Sequence, residues 1–429
     1  MDYTVVPVLA VFLGLIAVGM PVFMAMGISA LLGNFLLQGG DRLFENMATG
    51  AYNALNSFVL LAVPLYILAG TLLEATGLSH RLFTFAATWV SGLRGGLGVA
   101  TVIACSIFAA ISGSSVATAA TIGLVAMPAL TSHGYPTHRS GALIAAGGTL
   151  GILIPPSIGL LLYGMLTDQS VGALFVAGVL PGLVLAFLMA AYTSAATPRE
   201  ATGELTTWAD RVRAIREAGP ILALPIIIFA GIYSGIATPT EVAAVAVLYI
   251  MIVGLAHGRL GWAEVLKAGK SAVSGSVMIF MLVAFGSLLT QFFTLTGVPQ
   301  ALTQAIANSG LGHFAIITLM VMFYLVLGMF LEALSMMLVT VPILFPVAQS
   351  LGIHPLAFGI FVVLAVEVAQ ITPPVGINLF TVAGIGRIPF DRLSRSVVPY
   401  VLIMVVMMYL VLYAQGLSTW LPATMSYGV

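Results

Sequence analysis

Two double prolines mark where this sequence could do chemistry. They lie in Gly147-Gly148-Thr149-Leu150-Gly151-Ile152-Leu153-Ile154-Pro155-Pro156-Ser157 and in Ala365-Val366-Glu367-Val368-Ala369-Gln370-Ile371-Thr372-Pro373-Pro374-Val375-Gly376, each in the middle of a membrane-length apolar stretch. Proline has no N–H to donate, and its ring clashes with the carbonyl four residues back. The carbonyls of Gly151, Ile152, Ala369 and Gln370 are therefore expected to lose their helical partners. An unpaired carbonyl in hydrocarbon is costly, so this backbone must meet protein, water or a cation. A bound cation is the economical answer. The plainer alternative, a pair of kinks satisfied by Ser or Thr hydroxyls, is disfavoured by the recurrence.

Two further segments have small or polar centres suited to the tips of re-entrant hairpins: Ser112-Gly113-Ser114-Ser115-Val116-Ala117-Thr118 and Gly328-Met329-Phe330-Leu331-Glu332-Ala333-Leu334-Ser335. Two tips meeting two broken helices near the midplane would gather carbonyls, hydroxyls and half-helix N-termini, the first two suiting a cation and the last an anionic group. The ionisable residues of the apolar runs are all acids: Glu74, Glu241, Glu332 and Glu367. Glu74 near a helix end and Glu241 after Thr238-Pro239-Thr240 read as structural. Glu332 at a tip and Glu367 before the second proline pair are functional candidates, because a carboxylate at depth needs a cation, a proton or a hydrogen-bond network. With no base at depth, an anionic substrate would have to be held by helix N-termini, hydroxyls and nearby cations.

The elements that must position these groups are membrane helices. The chain has 429 residues, 60% of them hydrophobic and 7% charged, with a mean hydropathy of +1.14. Apolar runs long enough to cross a bilayer as helices recur from Val5 to Tyr413. Glycine and proline inside these runs speak against a β-barrel. The first run follows Met1-Asp2-Tyr3 without a basic region or cleavage site and is expected to be a retained helix. Cys105 is the single cysteine, and the net charge is zero without a basic run, which sets aside disulfides, cysteine metal clusters and nucleic-acid partners.

The chain repeats itself. Pro7, Pro21, Pro128, Pro155, Pro156 and Pro181 each have a partner 218 residues later, at Pro225, Pro239, Pro346, Pro373, Pro374 and Pro399. The expected organisation is a first repeat over 1–197 (hairpin about 98–130, broken helix about 141–166), a cytoplasmic linker over 198–219, and a second repeat over 220–429 (hairpin about 313–348, broken helix about 356–385). If each repeat has five crossings plus a hairpin, placing the linker in the cytoplasm leaves Arg42 alone outside and the thirteen other Lys and Arg residues inside. Both termini then lie outside. An odd number of crossings inverts the second copy, the plan of many secondary transporters.

The Ser112–Ala120 stretch, Ile154-Pro155-Pro156-Ser157-Ile158 and Ile371-Thr372-Pro373-Pro374-Val375-Gly376-Ile377-Asn378-Leu379 together resemble the large (M) membrane subunit of TRAP transporters, the tripartite ATP-independent periplasmic transporters. The likeness covers nearly the whole chain. It implies an all-α membrane fold with an elevator mechanism: hairpins and broken helices form a mobile transport domain against a scaffold. It also implies sodium as the coupling ion with no cofactor, a separate small four-helix Q subunit, and a periplasmic substrate-binding protein that delivers an organic anion at the bacterial inner membrane. By the family pattern one sodium site involves Ser112, Ser115, Gly151, Ile154 and Pro156, and the other Gly328, Ala369, Thr372 and Pro374. Substrate contacts are expected from Ser114, Thr118, Ser157, Glu332, Ser335 and Asn378. Some members carry Asp where this chain has Thr118 and Glu332.

Other classes fit less well. A stand-alone sodium/carboxylate symporter or ion antiporter differs from this reading in needing no binding protein. A passive channel would not need two matched broken sites. An intramembrane enzyme would need an acid–base, nucleophile or metal set at depth, whereas His80, His133, His138, His257, His313 and His354 all fall at expected loops or helix ends. Gly269-Lys270-Ser271 has Glu264 where a phosphate-binding loop needs its first glycine. Trp89, Trp208, Trp262 and Trp420 read as interfacial anchors.

Overall fold

A computed structural model of the chain describes residues 3–40, 43–197, 206–374 and 376–425. These residues are helical throughout, with no strand among them. The first half comprises α1 (Val5–Ala17), α2 (Val22–Gln38), α3 (Leu43–Leu55), α4 (Ala62–Ala75), α5 (Ser79–Trp89), α6 (Gly96–Ser112), α7 (Ser115–Ser132), α8 (Thr137–Gly148), α9 (Leu150–Leu153), α10 (Ile158–Thr167) and α11 (Val171–Ala196). The second comprises α12 (Trp208–Tyr233), α13 (Pro239–Ala256), α14 (Trp262–Leu295), α15 (Val298–Asn308), α16 (His313–Leu327), α17 (Ala333–Ser350), α18 (Pro355–Gln370), α19 (Ile377–Gly386) and α20 (Phe390–Tyr413), followed by a single turn, α21 (Gly416–Thr419).

The element order repeats with the prolines. Ser115 opens α7 and Ala333, 218 residues later, opens α17; Thr137 opens α8 and Pro355, at the same offset, opens α18. The two segments read as hairpins fold as the helix pairs α6–α7 and α16–α17, and the two double-proline stretches fold as α8–α9–α10 and α18–α19. One asymmetry stands out: α3 and α4 are separate, whereas α14 runs unbroken for 34 residues. At 1.5 Å per residue α14 is about 51 Å long, so it either tilts steeply in a hydrocarbon layer of roughly 30 Å or projects beyond it. Within the expected linker, Trp208 onward is already α12, carrying Arg211, Arg213 and Arg216. Residues 198–205, Arg199 among them, and Arg42 lie outside the described residues.

Among the described residues nine helical segments are long and apolar enough to cross a membrane. Large apolar side chains such as Phe187, Ile226, Leu248 and Ile252 point outward at 60–70% exposure. In water such a band would be a liability, but in a bilayer it is the solvent-facing surface. The interior is built around the broken helices: every residue of α18 from Leu356 to Gln370 is buried, as is every residue of α8 from Ser140 to Gly148.

The halves pack by exchange. α2 lies against α14 as α13 lies against α4; α10 lies against α17 as α19 lies against α7; α8 lies against α20 as α18 lies against α11. Polar contacts pin these crossings. The Tyr66 hydroxyl donates to the Pro239 carbonyl at 2.8 Å, and the Tyr163 hydroxyl donates to the Pro355 carbonyl at 2.7 Å. Each helix-opening proline thereby receives a tyrosine from the other half.

Candidate functional site

Four helix N-termini converge on one cavity of about 370 Å³. Its lining includes Ser115 and Ala333, the first residues of α7 and α17 behind the hairpin tips, and Ile158 and Ile377, the first residues of α10 and α19 beyond the breaks. Ile152 and Gln370, equivalent across the repeat, complete the broken-helix walls. The opposite wall comes from α4, through Gly70, Thr71 and Glu74, and from α14, through Ser271, Gly275 and Met278. Free N–H groups and the helix macrodipole make each N-terminus weakly positive, so their convergence favours an anion. The lining carries two carboxylates, Glu74 and Glu332, and no Lys, Arg or His. An anion entering this space meets like charge unless cations accompany it.

The first tip is held by a chain of hydroxyls. The Thr118 hydroxyl donates to the Ser114 carbonyl at 2.8 Å and so can only accept from Ser112, whose Oγ lies 3.1 Å away. Ser114 caps α7, its Oγ accepting from Ala117 N at 3.4 Å. Gly113 turns the tip at φ +59°, and a Cβ there would stand 2.8 Å from the Pro156 carbonyl oxygen. A Cβ on Gly151 would stand 2.6 Å from the Ser114 carbonyl oxygen. Glycine at both positions lets tip and break meet backbone to backbone. Ser112, Ser115, Gly151, Ile154 and Pro156 are thus gathered where the first tip meets the first break.

In the second half Gly328 abuts Ala369 so closely that a Cβ would overlap that of Ala369. The Thr372 hydroxyl donates to the Val368 carbonyl at 2.6 Å. The Ala369 carbonyl is not freed as the proline rule suggested: it accepts from Thr372 N at 3.2 Å, because the chain tightens into a turn before Pro373 and supplies a donor one residue early. Gly151 and Ile152 stand four residues before Pro155 and Pro156, which have no N–H to give. Both proline pairs, Pro155-Pro156 and Pro373-Pro374, are joined by cis bonds.

Glu367 crosses between the halves. It is fully buried, and its Oε1 accepts from the Ser115 hydroxyl at 2.5 Å and from Gln370 Nε2 at 3.3 Å. Its Oε2 has no partner among the described residues. Glu332 stands at the N-cap of α17 and accepts from the Ser335 hydroxyl at 3.0 Å.

Of the residues expected to touch substrate, Ser114 and Glu332 line the cavity. Thr118, Ser157, Ser335 and Asn378 lie outside its lining, each fully buried. Ser157 caps α10 through Leu160 N at 3.1 Å, and the Asn378 amide finds no partner among the described residues. Sequence reasoning passed over Thr71 and Ser271, named Gln370 only for its backbone carbonyl, and read Glu74 as structural, although Glu74 lines the cavity. A signal was there: an acid in the last turn of α4 opposes the helix dipole. Glu241 does cap α13, exchanging bonds with Thr238 in both directions. A larger cavity of about 780 Å³, between the α7–α8 connection, α11 and α20, shares no lining residue with this one.

The family model described as "Tripartite ATP-independent periplasmic transporter, DctM component" matches residues 9–417. The chain is 34% identical to the C4-dicarboxylate TRAP transporter large permease protein DctM of Vibrio cholerae, with 96% of this chain and 95% of that protein covered. It is 33% identical to the isethionate TRAP transporter permease protein DctMQ of Oleidesulfovibrio alaskensis, where 94% of this chain spans 64% of the longer relative. Among solved structures, the YdaH transporter of Alcanivorax borkumensis shares the fold with a TM-score of 0.64 at 16% identity, covering 90% of this chain and 88% of that one.

Proposed function

The chain belongs to the DctM component family of tripartite ATP-independent periplasmic transporters, and we propose that it moves a small organic anion across the bacterial inner membrane by sodium symport. As a member of that family it is a multi-pass transporter subunit and not an enzyme. The observation that carries the proposal is the convergence of four helix N-termini on a cavity that also holds two carboxylates and no base. The N-termini suit a carboxylate or sulfonate. The acids make the entry of that anion unfavourable without accompanying cations, which is the physical content of coupling.

Sodium travels as cargo beside the substrate. The oxygen-rich junction of tip and break in the first half, at Ser112, Ser115, Gly151, Ile154 and Pro156, suits a hard monovalent cation, and Gly328, Ala369, Thr372 and Pro374 form the equivalent junction in the second. Relatives named for a C4-dicarboxylate and for isethionate support a substrate of one or two anionic groups. The cavity volume falls within the roughly 300–1,000 Å³ usual for small-ligand sites. α6–α10 and α16–α19 would move as a unit against α1–α4 and α12–α14, since the cavity lies on the seam between these sets. A fused DctMQ relative supports a small Q subunit as partner, and the family's tripartite description supports a periplasmic binding protein as the third component. The distribution of Lys and Arg supports a cytoplasmic linker and periplasmic termini.

Proteoliposomes holding this chain and a Q subunit test the proposal. Uptake of candidate organic acids is followed with and without binding protein, under an inward sodium gradient or matched potassium. Accumulation that needs both sodium and binding protein supports it; sodium-driven uptake without binding protein would replace it with a stand-alone symporter.

A further inference from the structure

The least expected polar contact in the molecule joins the two candidate cation sites. Glu367 sits on α18, two residues before Ala369 and five before Thr372, yet its carboxyl accepts from Ser115 in the first tip. Its equivalent in the first half is Thr149, a neutral residue whose hydroxyl turns back to the Ala146 carbonyl. The first-half junction thus has no carboxylate of its own, and the carboxylate bonded to its Ser115 comes from the second half.

We propose that Glu367 is a positioning residue for the cation held at the Ser115 junction, acting through the Ser115 hydroxyl. A hydroxyl has one proton and two lone pairs. Because that proton is committed to Glu367, Ser115 Oγ is left to accept only, as a cation ligand must. A hydrogen bond to a carboxylate also makes the hydroxyl oxygen more negative, the usual task of a residue that supports a metal ligand. The residues present fit such an ion. The Ser114 and Pro156 carbonyls press against Gly151 and Gly113. Among the described residues Glu367 is a fully buried acid with one oxygen unpartnered and no basic side chain bonded to it, and a cation beside it supplies the compensation that its charged form needs. The link runs both ways: a cation at Ser115 fixes Glu367, and with it the end of α18 from which Ala369 and Thr372 extend. Filling one junction therefore prepares the other.

This inference rests on the sodium-symport reading, so the test reads sodium binding without transport. The thermal unfolding midpoint of the purified full chain with its Q subunit is followed against sodium chloride, choline chloride holding ionic strength constant and no substrate present. The wild type should melt higher as sodium rises. Glu367→Gln, which keeps the shape and removes the charge, should shift the sodium concentration for half of this effect upward by about 10- to 100-fold. Ser115→Ala should do the same with the carboxylate in place, which keeps the inference testable if Glu367→Gln does not fold. The double variant should be no worse than Ser115→Ala alone, because one residue acts through the other. An unchanged sodium midpoint in either single variant, or additive losses in the double, overturns the inference and leaves sodium symport standing. A wild type whose melting ignores sodium sinks both.

Discussion

Ser115 Oγ lies 2.5 Å from Glu367 Oε1, a short hydrogen bond between the first turn of α7 and the last turns of α18. Both residues are buried, so the bond ties the two halves together in the interior. A hydrogen bond contributes about 0.5–1.5 kcal/mol, and leaving its buried partner unsatisfied costs about 1–3 kcal/mol. Ser115→Ala should therefore unfold at a lower temperature than the wild type even in sodium-free buffer. Equal sodium-free melting would mean that the bond does not contribute to stability.

Gly328→Ala places a methyl where the Ala369 Cβ already sits. Overpacking of a buried contact costs about 1–3 kcal/mol, and here the pressure falls on the second proposed sodium junction. Melting temperature and sodium response should both drop. Adding Ala369→Gly should restore part of each, since it removes the atom in the way. A double variant no better than Gly328→Ala would show that the damage lies elsewhere.

Glu74→Gln and Glu332→Gln should each change the KM for the anion and the sodium concentration for half-maximal uptake, with normal amounts of protein in the membrane. Both carboxylates line the cavity, and removing either alters the charge that anion and cations meet together. Unchanged values for both parameters would return Glu74 to the structural role its position near a helix end first suggested.

Thr238→Ala supplies the contrast. Thr238 and Glu241 form a reciprocal cap at the start of α13, away from the cavity lining. Losing such a cap costs about 0.5–2 kcal/mol, so melting should fall while uptake KM and sodium dependence stay fixed. A change in either transport parameter would mean that α13 reports to the site.

What was legible in the sequence was whatever is written locally or repeated. The proline pairs located both breaks, because a missing N–H disrupts a helix wherever it occurs. The Gly-Ser stretch and its partner mark where α6 gives way to α7 and α16 to α17, and the offset of 218 relates them. What stayed hidden was assembled only in three dimensions. Thr71 and Ser271 reach the cavity because α4 and α14 pack across it, and nothing in their neighbouring residues says so, whereas Glu74 gave only the hint of an acid at the wrong end of a helix. Thr118 and Ser157 stand beside the motifs that suggest ligands, and what no motif shows is that one hydroxyl bonds within the tip and the other caps α10. The Ala369 carbonyl was misjudged because the proline rule counts the lost donor and not the turn that replaces it.

The exchanged packing of the halves has a consequence for how such a molecule could arise. Since α4 is completed by α13, α7 by α19 and α18 by α11, neither half closes its own interior. A gene encoding one half alone would yield a chain whose buried faces find their complement only in a second copy, so the forerunner of this architecture had to be a pair before it was a single polypeptide. Joining the copies released each from matching itself. Position 367 now carries an acid where its counterpart, position 149, carries a threonine, so the contact with Ser115 has an acceptor in one half and a donor in the other.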